Sequence, residues 1–270
     1  MILACQNISK SFGVEPVIRN VSFHVEDQEK VAIVGINGAG KSTLLKIIVG
    51  ELPADEGTVT LAKGKTLGYL AQHQDMNNDR TIYQEVRTAK ADILDMERQI
   101  REIEQEMKHL SGERLEERMN TYQRLTAAFE RENGYACESE ITGVLKGLGF
   151  TEEEFAKPVA TLSGGQKTRV SLGKLLLTKP DILLLDEPMA NLDPVVKTDI
   201  WELLIRTIEK ENISIIISTH LVEEVNDITD YIGLLDNGRL VKFGDREQIL
   251  NDDLGNKNKN LRELLEEENG

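Results

Sequence analysis

Alternating apolar and polar residues dominate the first part of the chain. Short runs of this kind fill residues 1–34 and predict a strand-rich start. The apolar residues of 44–49 have helical spacing, and Gly50 is placed to end that helix. Residues 57–70 again predict short strands and turns. Residues 1–70 are therefore predicted to form strands before and after one helix that has a buried side.

Later in the chain, apolar runs predict strands that are buried. They lie at 181–185 and 213–218, and a helix that ends before Pro180 precedes the first of them. Residues 231–244 predict a closing hairpin, because Asn237-Gly238 suits a two-residue turn. The 270 residues of the chain allow one large α/β domain or one domain with an insertion.

Residues 84–132 have a different pattern. Apolar residues recur at alternating steps of three and four, the seam of a coiled coil, with a break at Ser111-Gly112. Two antiparallel helices joined by a tight turn are predicted, the first roughly 27 Å long if it reaches Leu110. The charges are mixed rather than basic, so a solvated hairpin and a docking surface both remain open. The seam residues are Ile93, Met96, Ile100, Ile103, Met107, Leu110, Leu115, Met119, Tyr122, Leu125 and Phe129.

The loop before the first predicted helix carries the most specific chemical pattern. It matches G-x-x-x-x-G-K-[ST] directly after the apolar run 31–34. Its glycines let successive backbone N–H groups face a phosphate, and the following helix adds its positive end. Lys41 is placed to bridge the β- and γ-phosphates, and the Ser42 hydroxyl to bind Mg²⁺. A plain glycine turn between strand and helix is the alternative. The predicted phosphate contacts are Gly35, Asn37, Gly38, Ala39, Gly40, Lys41, Ser42 and Thr43.

Other segments carry groups suited to phosphate chemistry. Asp186 and Glu187 end a buried strand, which suits Asp186 to Mg²⁺ and Glu187 to an attacking water; two acids in a surface turn are the alternative. His220 follows a strand at the edge where open parallel sheets bind ligands, so it is a candidate γ-phosphate contact. The glycines of 163–166 expose helix N–H groups to an anion. Phe12 either stacks on an adenine or belongs to the core.

Composition and charge limit the classes of partner. The net charge of −15 argues against wrapping naked nucleic acid with a general basic surface, and it leaves room for a local basic patch. No apolar run approaches the roughly 18 residues that span a bilayer, and the N-terminus lacks a leader pattern. We therefore expect a cytoplasmic protein with no direct membrane insertion. Cys5 and Cys137 lack partners at metal-ligand spacing and are expected to be free thiols.

The order of the motifs resembles the ATP-binding cassette (ABC) family over about residues 1–250. The resemblance implies an α/β P-loop NTPase cassette with a mixed sheet core, an antiparallel β subdomain and an inserted helical hairpin arm. The implied nucleotide-binding domain comprises residues 1–83 and 134–250, the arm residues 84–133, and a short acidic C-terminal tail residues 251–270. The motifs are the phosphate loop, Gln72, Leu162–Gln166, Leu183–Glu187, Asn191–Asp193 and His220.

The same resemblance implies ATP and Mg²⁺ as cofactors and adds roles for single residues. Phe12 becomes the adenine platform, Gln72 senses Mg²⁺ and water, and His220 clasps the γ-phosphate. The family packs two cassettes head to tail around two ATP, so a homodimer is expected on ATP binding. The implied catalytic residues are Glu187, His220 and Gln72, and the implied metal ligands are Ser42, Gln72 and Asp186. The implied contacts to the partner's ATP are Ser163, Gly164, Gly165 and Gln166, and Asp193 is carried over as a further nucleotide contact.

Two subfamilies share the resemblance. Residues 1–186 resemble the first cassette of an ABC-F protein, a soluble twin-cassette factor that acts on ribosomes. Residues 189–250 resemble the ATP-binding subunit of a membrane transporter. The sequence therefore resembles a hybrid, natural or engineered. The ABC-F-like stretches are Tyr69–Gln72, the arm and Gln166–Arg169; the transporter-like ones are Met189–Pro194, Ser218–Leu221 and Asn237–Leu240.

Three functions follow from this resemblance. The first is an ATPase that works as a head-to-tail dimer and whose arm contacts a ribosome. The second is an ATPase subunit that docks under a transmembrane permease. The third is an ATP-operated clamp in which binding, rather than turnover, is the function. The arm favours the first, because transporter subunits carry a compact helical subdomain at that place, whereas the single set of cassette motifs counts against it.

Overall fold

The computed structural model describes residues 1–72, 76, 78–190, 192–221 and 228–249. The chain divides into two compact units, Met1–Asp75 with Lys179–Gly270, and Met76–Thr178. The domain boundaries implied by the resemblance, with residues 84–133 as an arm, stay a prediction. The implied acidic tail of residues 251–270 lies outside the described residues.

The strands all lie in the first unit, and the helices are divided between the two units. In chain order the strands are β1 (Leu3–Phe12), β2 (Glu15–Val25), β3 (Lys30–Val34), β4 (Glu56–Leu61), β5 (Leu67–Leu70), β6 (Ile182–Asp186), β7 (Ser214–Thr219), β8 (Tyr231–Asp236) and β9 (Arg239–Asp245). The α-helices are α1 (Lys41–Val49), α2 (Ile82–Arg87), α3 (Ala91–Met107), α4 (Glu113–Arg131), α5 (Cys137–Gly147), α6 (Gly164–Thr178) and α7 (Pro194–Glu211).

A six-stranded mixed sheet forms the core of the first unit. Its order is β5-β6-β7-β3-β8-β9, parallel from β5 to β8, with β9 antiparallel at the edge. Every residue of β6 and β7 is buried, as expected for parallel strands covered on both faces. Because parallel strands end at the same edge, the residues that follow β3, β6 and β7 lie close together. This edge carries the predicted phosphate chemistry.

A smaller antiparallel sheet, ordered β2-β1-β4, completes the strands of this unit. The β8–β9 hairpin turns at Asn237 and Gly238, whose φ angles of 44° and 77° suit a type I′ turn. α1 ends at Gly50, which adopts φ 84° and donates its N–H to Ile47. The predicted hairpin and helix end are therefore confirmed.

The second unit is helical and contains the predicted hairpin of α3 and α4. α3 ends at Met107 rather than Leu110, so its 17 residues span about 26 Å. Ile93, Ile103 and Phe129 are buried, as the seam predicts. Met119 is 47% exposed and departs from the seam. The prediction of two antiparallel helices is confirmed, with a slightly shorter first helix.

A buried carboxylate joins α2 to α6 within the second unit. Glu85 accepts hydrogen bonds from Lys174 on α6, from Arg80 at 3.2 Å and from Asn78 at 3.2 Å. Burial by itself raises the pKa of Glu85, but Lys174, Arg80 and Asn78 together bring that pKa below its usual value. The network therefore keeps this acid charged and fixes α6 against α2.

The architecture agrees with the predicted class. The mixed sheet, the antiparallel sheet and the helical hairpin are all present, so the α/β prediction is confirmed. Within the part of the chain that the structure describes, no helix has the length and apolar character needed to cross a membrane. Cys5 and Cys137 are buried free thiols, as predicted, and burial raises the pKa of Cys5 to about 12.

Candidate nucleotide-binding site

The loop between β3 and α1 has a conformation that only glycine adopts easily. Gly38 and Gly40 have φ angles of 87° and 105°, in the left-handed region. A Cβ on Gly35 would lie 2.3 Å from the backbone oxygen of Leu235, so the close packing against β8 also needs glycine. Gly40 caps α1 without any side-chain hydrogen bond. The first N–H groups of α1 therefore lack a side-chain acceptor.

Lys41, the first residue of α1, points its amine into the protein. The residue is 5% exposed, and its Nζ donates to the backbone oxygens of Gly35 at 2.8 Å and Ile36 at 3.2 Å. The same Nζ lies 3.3 Å from Oε1 of Glu187. A buried ammonium held by the loop's own carbonyls is well placed for a bound phosphate.

The remaining predicted phosphate contacts differ in burial. Those that precede α1 range from exposed to buried, and those in its first turn are half-buried. Asn37 and Gly38 are exposed, Ala39 is buried, and Ser42 and Thr43 are half-buried.

The two predicted acids follow from the way β6 ends. Asp186 is its last residue, is 1% exposed and accepts a hydrogen bond from Ser218 Oγ at 2.5 Å. Glu187 comes next and adopts a left-handed backbone with φ 46°. For a residue other than glycine this conformation costs about 1–3 kcal/mol and is often found at functional sites. The alternative of two acids in a surface turn is wrong for Asp186, because that residue is buried.

The Glu187 carboxylate lies next to the other predicted catalytic groups. Glu187 Oε2 accepts from Gln72 Nε2 at 3.2 Å. His220 Nδ1 lies 3.6 Å from Glu187 Oε1, and this buried nitrogen has no hydrogen-bond partner. Together with Lys41, three groups predicted to touch nucleotide, Mg²⁺ or water therefore meet at Glu187. Counted with Glu187 itself, the four residues come from four different segments of the first unit.

The chemistry of these groups fits Mg²⁺. Within the described ranges no group of three or more His, Cys, Asp or Glu side chains could hold a metal ion. Mg²⁺ does not need such a cluster, since it usually takes one or two protein oxygens together with phosphate oxygens and waters. Asp186 and the Ser42 hydroxyl are oxygen donors of that kind.

Phe12 is exposed rather than buried in the core. It is the last residue of β1, is 52% exposed, and its ring centroid lies 5.9 Å from Lys10 Nζ. The core interpretation of Phe12 is therefore wrong. Its role as an adenine platform stays a prediction.

The residues of the predicted signature belong to the second unit. Ser163 N–H donates to Gln166 Oε1 at 3.1 Å, and Gln166 N–H donates to Ser163 Oγ at 3.3 Å. This reciprocal pair is a capping box at the start of α6, where Gly164 is the first helical residue and Gly165 the second. The spacing S-x-x-Q is the sequence signal of this box, which the glycine pattern alone does not reveal.

Asp193 has a structural contact of its own. Its Oδ1 accepts the N–H of Val195 at 2.9 Å and caps α7, which has Pro194 at its first position. Asn191, in the same motif, lies outside the described residues. The nucleotide contact of Asp193 stays a prediction.

Ser218 is a site residue that the sequence analysis did not identify. It is 0% exposed on β7 and contacts both acids, through Asp186 Oδ1 and the N–H of Glu187. No spacing within the sequence signals this contact, because it depends on how β6 and β7 pair.

Comparison with known proteins identifies the family. A family model described as ABC transporter matches residues 18–190. The chain belongs to this family. The prediction of a cassette from the motifs is therefore confirmed. Nucleotide binding is associated with this family.

Three relatives of this cassette differ in how much of their length it covers. Putative ATP-binding protein YdiF of Bacillus subtilis (strain 168) is 43% identical over 193 residues, 72% of this chain and 30% of that protein. ABC transporter F family member 5 of Arabidopsis thaliana is 33% identical over 222 residues, 80% of this chain and 31% of that protein. Methionine import ATP-binding protein MetN of Clostridioides difficile (strain 630) is 31% identical over 274 residues, 99% of this chain and 74% of that protein. The cassette thus spans about a third of the length of the first two relatives.

A solved structure of the ATP binding subunit of an ABC transporter has the same fold. It aligns over 100% of both chains with a TM-score of 0.70 and 22% identity. The relatives named for the F family and for methionine import each extend over at least 80% of the cassette. These comparisons therefore give no support to a hybrid or engineered origin.

Proposed function

We propose that this cassette binds ATP with Mg²⁺ and hydrolyses it. The observation that carries the proposal is the gathering of Lys41, Gln72 and His220 around the Glu187 carboxylate. A carboxylate beside an amine, an amide and an unpartnered imidazole nitrogen can orient a water molecule and accept its proton. These are the functions that phosphoryl transfer requires of a protein.

Each group has a separate task in the proposed reaction. Lys41 and the open N–H groups of α1 hold the phosphates, and Phe12 stacks on the adenine. Glu187 accepts a proton from the water whose oxygen attacks the γ-phosphorus, as the bond to ADP breaks. Gln72 orients that water, and His220 contacts the γ-phosphate. Mg²⁺, when bound, neutralises charge on the phosphate oxygens.

The ion pair between Lys41 and Glu187 links binding to catalysis. Both side chains are largely buried, with 4% and 11% exposure, so their attraction is only weakly screened by solvent. The phosphates of ATP compete with Glu187 for the Lys41 amine. ATP binding therefore releases the carboxylate for its role as a base.

Replacing Glu187 by glutamine tests the catalytic proposal. Glu187→Gln keeps the size of the side chain and removes the base, so hydrolysis should slow by about 10²-fold or more while ATP still binds. Glu56→Gln, at an exposed position of β4, is the matched control and should keep the parent rate. Phosphate release and binding of a fluorescent ATP analogue are measured in parallel. An unchanged rate in Glu187→Gln would contradict the role of this residue.

We further propose that two cassettes close over ATP in a head-to-tail dimer. Exposed apolar side chains just beyond β3 and β7 support an interface there, namely Ile36 at 43% and Leu221 at 38% exposure. Ser163 and the N–H groups at the start of α6 contact the ATP held by the other copy. Glu187→Gln should therefore accumulate as a dimer in Mg-ATP, measured by light scattering. A monomer at saturating ATP would contradict the composite site.

The proposed partner is a ribosome. The support is the α3–α4 hairpin together with the similarity to an F family member. Co-sedimentation with ribosomes tests this, with the hairpin residues 88–130 replaced by a short Gly/Ser linker as the comparison. ATPase activity should survive this replacement, whereas ribosome binding should be lost.

A second candidate is the ATP-binding subunit of a membrane transporter. The observation that favours it is the alignment with methionine import protein MetN over 99% of the cassette and 74% of that protein. Recovery with membranes rather than ribosomes would support this candidate. A protein that binds ATP without releasing phosphate would instead favour the clamp function.

A further inference from the structure

Ser218 connects the two acids at the end of β6. Its Oγ donates to Asp186 Oδ1 at 2.5 Å and accepts the N–H of Glu187 at 3.1 Å. The same Glu187 N–H also lies 3.1 Å from the backbone oxygen of Ser218. Because Ser218 is 0% exposed, water does not compete for these hydrogen bonds.

Strand pairing places the hydroxyl between the acids. β6 and β7 run parallel, with Asp186 opposite Ser218. A serine at this position of β7 reaches across the ladder to the carboxylate that ends β6. An alanine there would leave Asp186 Oδ1 without the hydroxyl donor. The Glu187 N–H would keep only the backbone oxygen of residue 218 as its acceptor.

Both hydrogen bonds of the Ser218 hydroxyl restrain the positions of the two acids, in addition to any effect on their charge. The donated bond occupies Asp186 Oδ1 and restrains rotation of the carboxylate. The accepted bond holds the backbone of Glu187, whose φ of 46° is unfavourable for a residue with a side chain. That backbone conformation directs the Glu187 side chain to Lys41, Gln72 and His220.

We propose that the Ser218 hydroxyl is a positioning group for the ATPase reaction, which orients Asp186 toward Mg²⁺ and holds Glu187 in the conformation that serves as base. The inference rests on the proposed function, because it assigns a task to Ser218 only if Glu187 and Asp186 act on ATP. Ser218 itself does not touch the substrate.

The same strand supplies a matched control. Ser214 also lies on β7 and is 0% exposed. Its Oγ likewise donates one hydrogen bond, to the Glu26 backbone oxygen at 3.3 Å, and accepts one, from the Gln28 N–H at 2.8 Å. Ser214 and Ser218 therefore agree in strand, burial and number of hydrogen bonds. Only Ser218 contacts the acids.

The experiment compares Ser218→Ala, Ser218→Thr and Ser214→Ala in the full chain. Ser218→Ala should lower kcat by about 10- to 100-fold, the usual effect of losing a group that orients a metal ligand. It should also reduce, by a similar factor, the gain in affinity for a fluorescent ATP analogue when Mg²⁺ is added. Affinity without Mg²⁺ should stay at the parent value. Ser218→Thr keeps the hydroxyl and should restore kcat and the Mg²⁺ gain.

Thermal unfolding separates positioning from stability. Ser214→Ala and Ser218→Ala should lose similar stability, while Ser214→Ala keeps the parent kcat and the parent Mg²⁺ gain. Equal kcat and equal Mg²⁺ gain in the two alanine variants would overturn the inference. If Ser218→Ala does not fold, Ser218→Cys replaces it with the same expectation, since a thiol is a weaker donor of similar size.

The inference and the proposed function fail in different ways. A parent protein without Mg²⁺-dependent turnover contradicts the proposed function, and the Mg²⁺ gain in nucleotide affinity still tests Ser218. A parent that hydrolyses ATP, with Ser218→Ala indistinguishable from Ser214→Ala, contradicts the inference alone.

Discussion

The helices α1 and α6 both have glycines at their starts, and their first turns are completed differently. Gly40 caps α1 with a left-handed backbone and no side-chain hydrogen bond. At α6, Ser163 and Gln166 each accept the other's backbone N–H. The start of α1 is therefore left open, whereas the start of α6 is closed by its own side chains.

This difference bears on how each helix start meets an anion. An open start with an inward lysine presents N–H groups that a phosphate satisfies, so binding and local stability are linked. A closed start is stable without a ligand, and its serine hydroxyl keeps a proton to donate. We infer that α1 holds its own ATP, and that α6 recognises an anion already bound by another copy.

The largest expected effect concerns one lysine at each helix start. Lys41→Met removes the buried amine and should weaken ATP binding by about 10- to 100-fold, the range for charge-assisted hydrogen bonds. Lys167→Met, in the first turn of α6, is the matched variant and should bind ATP like the parent at protein concentrations too low for dimers. Titration with a fluorescent ATP analogue measures both. Equal weakening in the two variants would remove the distinction between the helix starts.

A smaller effect is expected from removing the side-chain cap at the start of α6. Ser163→Ala removes the capping box and should lower the free energy of unfolding by about 1 kcal/mol. Ser163→Asp keeps an acceptor at the cap and should retain that stability, but its charge should repel ATP on the other copy. Denaturant unfolding and ATP-dependent light scattering separate these two consequences. Normal dimer formation by Ser163→Asp would show that α6 does not face the phosphates.

A third and weaker effect concerns the pH dependence of stability. Another capping box lies before α6, where Thr151 N–H donates to Glu154 Oε2 at 3.0 Å. The hydrogen bond from Lys157, followed by that from Thr151, lowers the pKa of the Glu154 carboxyl. A lowered folded-state pKa stabilises the protein above the unfolded pKa of about 4.3, and this contribution is lost as the pH falls through the folded value.

Acidification should therefore lower the free energy of unfolding less in Glu154→Gln than in the parent. The difference should be below about 1 kcal/mol, because the carboxylate is partly exposed. Gln166→Glu supplies the complementary variant, since it adds a titrating group to a box that has none. Denaturant unfolding at several acidic pH values measures both. An unchanged acid dependence in Glu154→Gln would show that the carboxylate makes no net contribution.

The site was predictable to the extent that its parts are local in sequence. The loop before α1 and the start of α6 were identified because close neighbours along the chain form them. The capping box of Ser163 and Gln166 was also readable from its spacing, although the sequence analysis interpreted only the glycines there. The exposure of Phe12 was not readable, because an aromatic residue suits both a core and a surface platform.

Short-range patterns along the chain were enough to predict the strands and helices, the glycine loop, the residues next to it and the family. The tertiary structure decided that Glu187 meets Lys41, Gln72 and His220, and that Ser218 lies between the acids. Gln72 and Glu187 are 115 residues apart, and Ser218 and Asp186 are 32 apart. Such contacts follow from the order and register of parallel strands, which depend on packing of the whole core rather than on any short pattern.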